Sequence, residues 1–196
     1  MTPEEFKQKW ISLENNLNPI SSEKLDGLGL SAKTIHFLVR SGLPDSVAPF
    51  LSFSNDSEDL SNGIQKLNKV YDILDPEFEK YVFIGSCGDG DPIVVNTQMD
   101  DQIEFLDHEN YFSSGFFNSD ISGLAKSLLA YRNFIDMILE ENGQDAYLDS
   151  VFTDEQFEKL KNEILLADTR AMENDSFWFT QLKMDLDLRE IAKKEK

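Results

Sequence analysis

Within residues 81 to 143 the apolar residues of this chain change period, and that change constrains the fold more than any other feature. Before Ser119 they come in short β-branched and aromatic runs, Tyr81-Val82-Phe83-Ile84, Ile93-Val94-Val95 and Ile103-Glu104-Phe105-Leu106. Such side chains fit a pleated surface packed against a core. A glycine and aspartate segment, Gly85 to Pro92, and the polar turn Gln98 to Gln102 separate the runs. Neither connection is long enough for the dozen or more residues of a crossover, so the runs predict an antiparallel meander. From Ser119 or Asp120 onward, Ile121, Leu124, Ala125, Leu128, Ile135, Ile138 and Leu139 recur at helical spacing until Gly143. That stripe predicts one amphipathic helix laid over a face of the sheet.

Capping chemistry places the other helices. Thr2-Pro3-Glu4-Glu5 joins an N-cap Thr, a Pro at the first helical position and a Glu able to return the capping bond, predicting a helix through about Leu13. Ser31 opens a second, with Leu30 and Ile35 at staple spacing and Ile35, Leu38 and Val39 on one face until Gly42; Leu43-Pro44 then stops it. Phe50 to Phe53 reads as a short strand and Asn55 to Asn62 as a polar loop. Thr153 and Gln156 form a capping box, with Phe152 and Phe157 as its staple and Leu160 and Ile164 on its apolar side. A last helix surrounds Trp178, Leu182 and Leu186, with Phe177 and Trp178 as core anchors, while Phe116 and Phe117 are expected to fix the entry of the helix that follows them. Helix, meander, then helices predict an α+β fold: a single domain whose mostly antiparallel sheet is flanked by helices. Residues 1 to 30 read as a helical N-terminal extension and residues 31 to 196 as the α+β domain.

Charge narrows the classes of function. With 37 acidic against 18 basic residues the net charge is −19. Phosphate backbones and anionic membranes are gripped by clustered Lys and Arg, so direct binding to either is not expected, whereas a basic partner would be steered in. Residues 81 to 120 carry eight acidic side chains and no Lys or Arg. The single cysteine, Cys87, cannot form an intrachain disulfide, which fits a reducing compartment. Met1 to Trp10 alternates charged with apolar residues and lacks the apolar core of a secretory signal, and no stretch approaches the ~20 apolar residues of a membrane span. A cytoplasmic location is the expectation.

Several chemical motifs fail on their spacing. Gly88-Asp89-Gly90 leads to Pro92 and a strand, not to a Lys or a helix N-terminus, and its carboxylates would repel phosphate. Asp89, Asp91 and Asp100 occupy the first, third and twelfth places of an EF-hand frame, but Ile93 and Val94 stand where an oxygen ligand and a Gly are needed. Asx-turns and positive-φ glycines explain the segment better. Cys87 and His108 could be paired as nucleophile and base, yet acidic neighbours destabilise a thiolate. No catalytic residue, metal site or cofactor is expected, and the chain reads as a binding protein, not an enzyme.

A set of short segments in a fixed order carries a resemblance. They are Leu43-Pro44 followed by Pro49-Phe50-Leu51; Phe83-Ile84-Gly85 followed by Gly88-Asp89-Gly90-Asp91-Pro92-Ile93; and Leu106-Asp107-His108-Glu109-Asn110. Phe117-Asn118-Ser119 then opens a helix containing Ser127-Leu128-Leu129-Ala130-Tyr131-Arg132, and Asp168 precedes Phe177-Trp178 near the C-terminus. Together they resemble the SUKH superfamily, most closely its fourth subfamily. The resemblance implies an antiparallel sheet flanked by helices and a role as the immunity partner that neutralises a polymorphic or contact-dependent bacterial toxin, often a nuclease. Because the superfamily also includes yeast regulators of cell-wall glucan synthesis, a non-enzymatic regulatory scaffold is the alternative. A toxin that grips nucleic acid presents Lys and Arg, which carboxylates can occupy. The candidates for partner binding are Asp89, Asp91, Asp100, Asp101, Glu104 and Asp107. The four turn residues rank ahead of Glu104 and Asp107, which strand alternation can turn inward.

Overall fold

The structure, a computed structural model, describes residues 1–10, 17–59 and 63–194. In chain order its elements are α1 (Pro3–Trp10), β1 (Leu17–Asn18), α2 (Ser22–Leu25), α3 (Ala32–Arg40), β2 (Leu43–Pro44), β3 (Ser46–Val47), β4 (Leu51–Phe53), β5 (Gln65–Lys66) and α4 (Leu67–Val70). A 3-10 turn, Pro76–Lys80, leads to β6 (Tyr81–Ser86), β7 (Pro92–Asn96), β8 (Gln102–Asp107) and β9 (Ser113–Asn118). Then come α5 (Ile121–Asn142), α6 (Asp154–Ala167), a second 3-10 turn (Thr169–Met172) and α7 (Phe177–Lys194). No described helix is long and apolar enough to cross a membrane.

The helix starts are where the caps place them. Thr2 N donates to Glu5 Oε2 (2.8 Å) and Glu5 N to Thr2 Oγ1 (3.1 Å), closing the first capping box. The Ser31 side chain accepts from Thr34 N, Asp120 from Gly123 N, and Thr153 exchanges bonds with Gln156. The stretch in which the first helix was expected to reach Leu13 lies outside the described residues, as does the end of the Asn55 to Asn62 loop.

The meander is present, and the sheet is α+β in the expected sense. Its strands run β3-β4-β6-β7-β8-β9, with β5 also pairing β6, and every pairing is antiparallel. Two expectations need correction. Phe116 and Phe117 precede α5 as expected, but they sit in a strand that was not expected, β9, whose Ser113-Ser114-Gly115 start has little β propensity to announce it. The glycine and aspartate connection is shorter than expected, because β6 continues through Gly85 and Ser86 and β7 begins at Pro92. Gly85 is what lets β4 approach: a Cβ there would lie 2.2 Å from the Ser52 carbonyl oxygen.

Both faces of the sheet are covered. Val82, Ile84, Ile93, Val95, Ile103 and Phe117 pack beneath Ile121, Leu124, Leu128 and Tyr131 of α5 and Trp178 of α7. Residues before 31 join this core through Phe6, Trp10, Ile20 and Leu25. On the opposite face Leu67, Tyr81, Phe83, Val94 and Leu106 form a smaller cluster with Tyr71, Phe78 and Phe112. Double-sided burial is why these strands read as nearly continuous apolar runs, a pattern more usual in parallel sheets. Trp178 anchors α7 as expected: it is fully buried, and its Nε1 donates to Asn118 Oδ1 (3.0 Å). Asp168 completes the corner by accepting from the Ser119 backbone and hydroxyl.

Candidate functional site

Antiparallel connection sends successive turns to opposite ends of the sheet. The β6–β7 loop and the β8–β9 turn therefore share one end, and the β7–β8 turn lies at the other, about 15–20 Å away along strands of this length. The contacts agree, since Asp91 Oδ1 accepts from His108 N (3.0 Å) and lies 2.7 Å from His108 Nδ1. Carboxylates that are neighbours in sequence thus belong to two surfaces and an interior.

At the first end, Asp89 and Glu109 are exposed and Asp91 and Asp107 half-buried. Asp107 Oδ1 accepts from Glu109 N (3.0 Å) and Asn110 N (3.1 Å), an Asx-turn that fixes the loop. His108 is held above the ordinary imidazole range, chiefly by its hydrogen bond to Asp91, against a smaller opposing effect of desolvation, with further help from the charges of Asp91, Glu109 and Asp107.

Two aromatic side chains stand out from the same end. Tyr111 is 95% exposed and Phe50 73%, and both have left-handed backbones, with φ of 54° and 58°. Ser113 N donates to Asn110 O (3.0 Å) across Tyr111 and Phe112, whose φ values of 54° and 55° give the mirror-image hairpin turn that normally takes Asn or Gly. A non-glycine residue held there costs about 1–3 kcal/mol, and such strain clusters at binding sites. Phe112 is secured by the rings of Tyr71 (5.0 Å) and Phe78 (6.0 Å). Phe50 packs on the β6–β7 loop, where a Cβ on Gly88 would come within 2.8 Å of it. Phe50, Asp89, Asp91 with His108, Glu109 and Tyr111 thus make one row across the end of the sheet. Of these, Glu109 was legible only as part of the segment without Lys or Arg, and the exposure of Tyr111 and Phe50 had no mark in the sequence.

The remaining candidates lie elsewhere. Asp100 is exposed at the opposite end, so the three aspartates at EF-hand spacing do not converge. Among the described residues no group of three His, Cys, Asp or Glu is placed to hold a metal ion. Asp101, expected at the surface, is only 3% exposed and accepts from Ser31 N (2.8 Å), tying the turn to the start of α3. Glu104, a candidate ranked behind the turn residues because strand alternation can turn it inward, is 4% exposed and faces the smaller cluster, so it is not available to a partner. There it accepts from Tyr81 Oη (3.0 Å), Asn96 Nδ2 (2.8 Å) and Gln102 Nε2 (2.9 Å). Burial, and then the Glu104 charge, push the Tyr81 hydroxyl up.

Cys87 borders the first end but is poorly suited to nucleophilic chemistry. Burial, then the charges of Asp91 and Asp89, push its thiol up to about 12. Native Cys87 is expected to react with iodoacetamide at pH 8 about 100-fold or more slowly than a free cysteine, as followed by mass spectrometry. Cys87→Ser should leave folding and partner binding intact. Labelling at the free-thiol rate, or loss of binding in a folded variant, would contradict this.

Comparison with curated proteins and with solved structures gave no match. The family model for the SUKH-4 immunity protein matches residues 14–183, which takes in the whole seven-stranded sheet, both of its acidic ends and the corner bound by Asp168. The chain therefore belongs to the SUKH-4 immunity protein family.

Proposed function

We propose that this immunity protein neutralises a bacterial toxin domain whose surface is basic, of the nuclease or other nucleic-acid-targeting kind, by binding it across the sheet end that carries Asp89, Asp91, Asp107 and Glu109. The observation that carries this reading is the row of carboxylates flanked by the exposed aromatics Phe50 and Tyr111. Exposed aromatics held on rigid turns make the buried anchors of protein interfaces, and surrounding charges govern encounter and choice of partner. The other end is less favourable because its charge is partly compensated: Lys33 pairs with Asp120, and Arg170 donates to Gln102 Oε1 (2.9 Å). The role is binding without catalysis, and it needs no cofactor.

Association and dissociation rates with the toxin encoded beside the gene, measured across ionic strengths, test this. Asp89→Lys with Glu109→Lys is expected to slow association about tenfold at low salt and to flatten its salt dependence. Tyr111→Ala should mainly speed dissociation, by about tenfold or more. Glu155→Lys with Glu158→Lys, exposed on α6, serves as the control. Unchanged rates and full protection of cells in the sheet-end variant would exclude this surface.

A further inference from the structure

Between α5, α7 and the segment that joins α5 to α6 lies a cavity of about 140 Å³. Its walls include Tyr131, Phe134, Tyr147 and Phe152, and its rim includes Phe50 and Leu148. The rim residues are 73% and 80% exposed, so the mouth is apolar and open to a partner. Phe50 also packs on the β6–β7 loop beside Gly88, making the cavity continuous with the acidic sheet end. A space of this volume is well below the ~300 Å³ of small-molecule sites and suits a single side chain.

One carboxylate lines the cavity. Asp185 is 9% exposed; its Oδ1 accepts from Gln181 Nε2 (2.8 Å) and its Oδ2 from the Tyr131 hydroxyl (2.9 Å). Among the described residues no Lys or Arg forms an ion pair with it. Arg189, one helical turn further along α7, is turned away: its guanidinium lies 4.8 Å from the Phe152 ring centre and donates to Asp154 Oδ1 (2.7 Å) and to the Phe152 carbonyl. Burial raises Asp185 to about 6, with the two hydrogen bonds opposing, and no cation contributes. A carboxylate set among aromatic rings, hydrogen-bonded but without a counter-charge, has the chemistry of a receptor for a planar cation.

We propose that this cavity receives one arginine side chain of the protein partner, its guanidinium on Asp185 and the aromatic walls. The inference deepens the reading of a basic partner and rests on it. An apolar side chain would leave the ionised carboxylate desolvated without compensation, whereas a guanidinium supplies both the charge and the stacking face.

The test needs no toxin, so its outcome is separate from that of the sheet-end charge reversal. The full chain is titrated with N-acetyl-arginine-N-methylamide while the Met184 methyl resonance, at the cavity, is followed by NMR. A saturable shift with a Kd of about 1–10 mM is expected. The neutral citrulline and leucine analogues should bind at least tenfold more weakly. Asp185→Asn should weaken the arginine probe at least tenfold, and Leu148→Lys, a change at an exposed rim position, should weaken it as well. Leucine binding as well as arginine, undiminished arginine binding in Asp185→Asn, or no shift at Met184 with any probe would each overturn the proposal.

Discussion

Glu104→Lys is expected to unfold the protein rather than to weaken its hold on a partner. The Glu104 carboxylate is the shared acceptor for Tyr81 Oη, Asn96 Nδ2 and Gln102 Nε2, and the site is closed to solvent. Glu104→Ala strands buried donors that cost about 1–3 kcal/mol each, so a loss of roughly 3–4 kcal/mol is expected. Lysine adds an unpaired ammonium facing those same donors, taking the loss to about 5 kcal/mol or more, a large share of a typical domain's stability. Glu104→Gln keeps an acceptor oxygen, and its amide can donate to the Tyr81 hydroxyl, so about 1 kcal/mol is expected. Urea unfolding midpoints of the three variants check this order. If the alanine variant were as stable as the parent, the network would not be structural. Protection of cells by Glu104→Gln would show in addition that the charge itself is not used against the toxin.

Asp185→Asn is expected to change how stability depends on pH, and in the direction opposite to a salt-bridged carboxylate. Asp185 is raised from 3.8 to about 6 by burial, opposed by Gln181 and Tyr131. Between those values the folded state holds a proton that the unfolded state has released, so stability falls as pH rises through that window. Its contribution is complete below about pH 4 and lost above about pH 6, a span of about 3 kcal/mol. The groups around it do not cancel the slope. Tyr131 and Tyr147 are themselves pushed up and stay neutral in this window, Gln181 does not titrate, and Arg189 faces Asp154. The asparagine variant removes the slope, so its stability relative to the parent should increase by about 2–3 kcal/mol from pH 4 to pH 7, whatever its fixed offset from altered hydrogen bonding. Denaturant unfolding at several pH values gives this difference directly. A difference that stays constant with pH would mean that Asp185 is not desolvated in the folded state. A variant that gains stability at neutral pH while losing the arginine probe would show a binding function maintained at the expense of stability.

Much of the fold was legible because its signals are local. Caps at Thr2, Ser31, Asp120 and Thr153 depend on residues three positions apart, and the α5 stripe depends on spacing within one helix. Strand β9 escaped because its first half is Ser-Ser-Gly, and its place in the sheet comes from pairing with β8, not from its own propensity. The short β1, β2 and β5 strands are likewise defined by their partners.

The sequence by itself determined the α+β class, the antiparallel meander, the starts of the capped helices and a central segment with carboxylates and no Lys or Arg, and the order of its short motifs pointed to the family. Only the tertiary structure decided which carboxylates share a surface. Alternate turns of a meander leave at opposite ends, which separates Asp89 and Asp91 from Asp100. The two-residue period of a strand turns Glu104 inward, but what satisfies it comes from Tyr81 on another strand. Asp185 looks like any surface aspartate of an amphipathic helix until α5 brings Tyr131 against it, 54 residues away in sequence. Exposure and electrostatics are properties of the assembled surroundings, so no local pattern contains them.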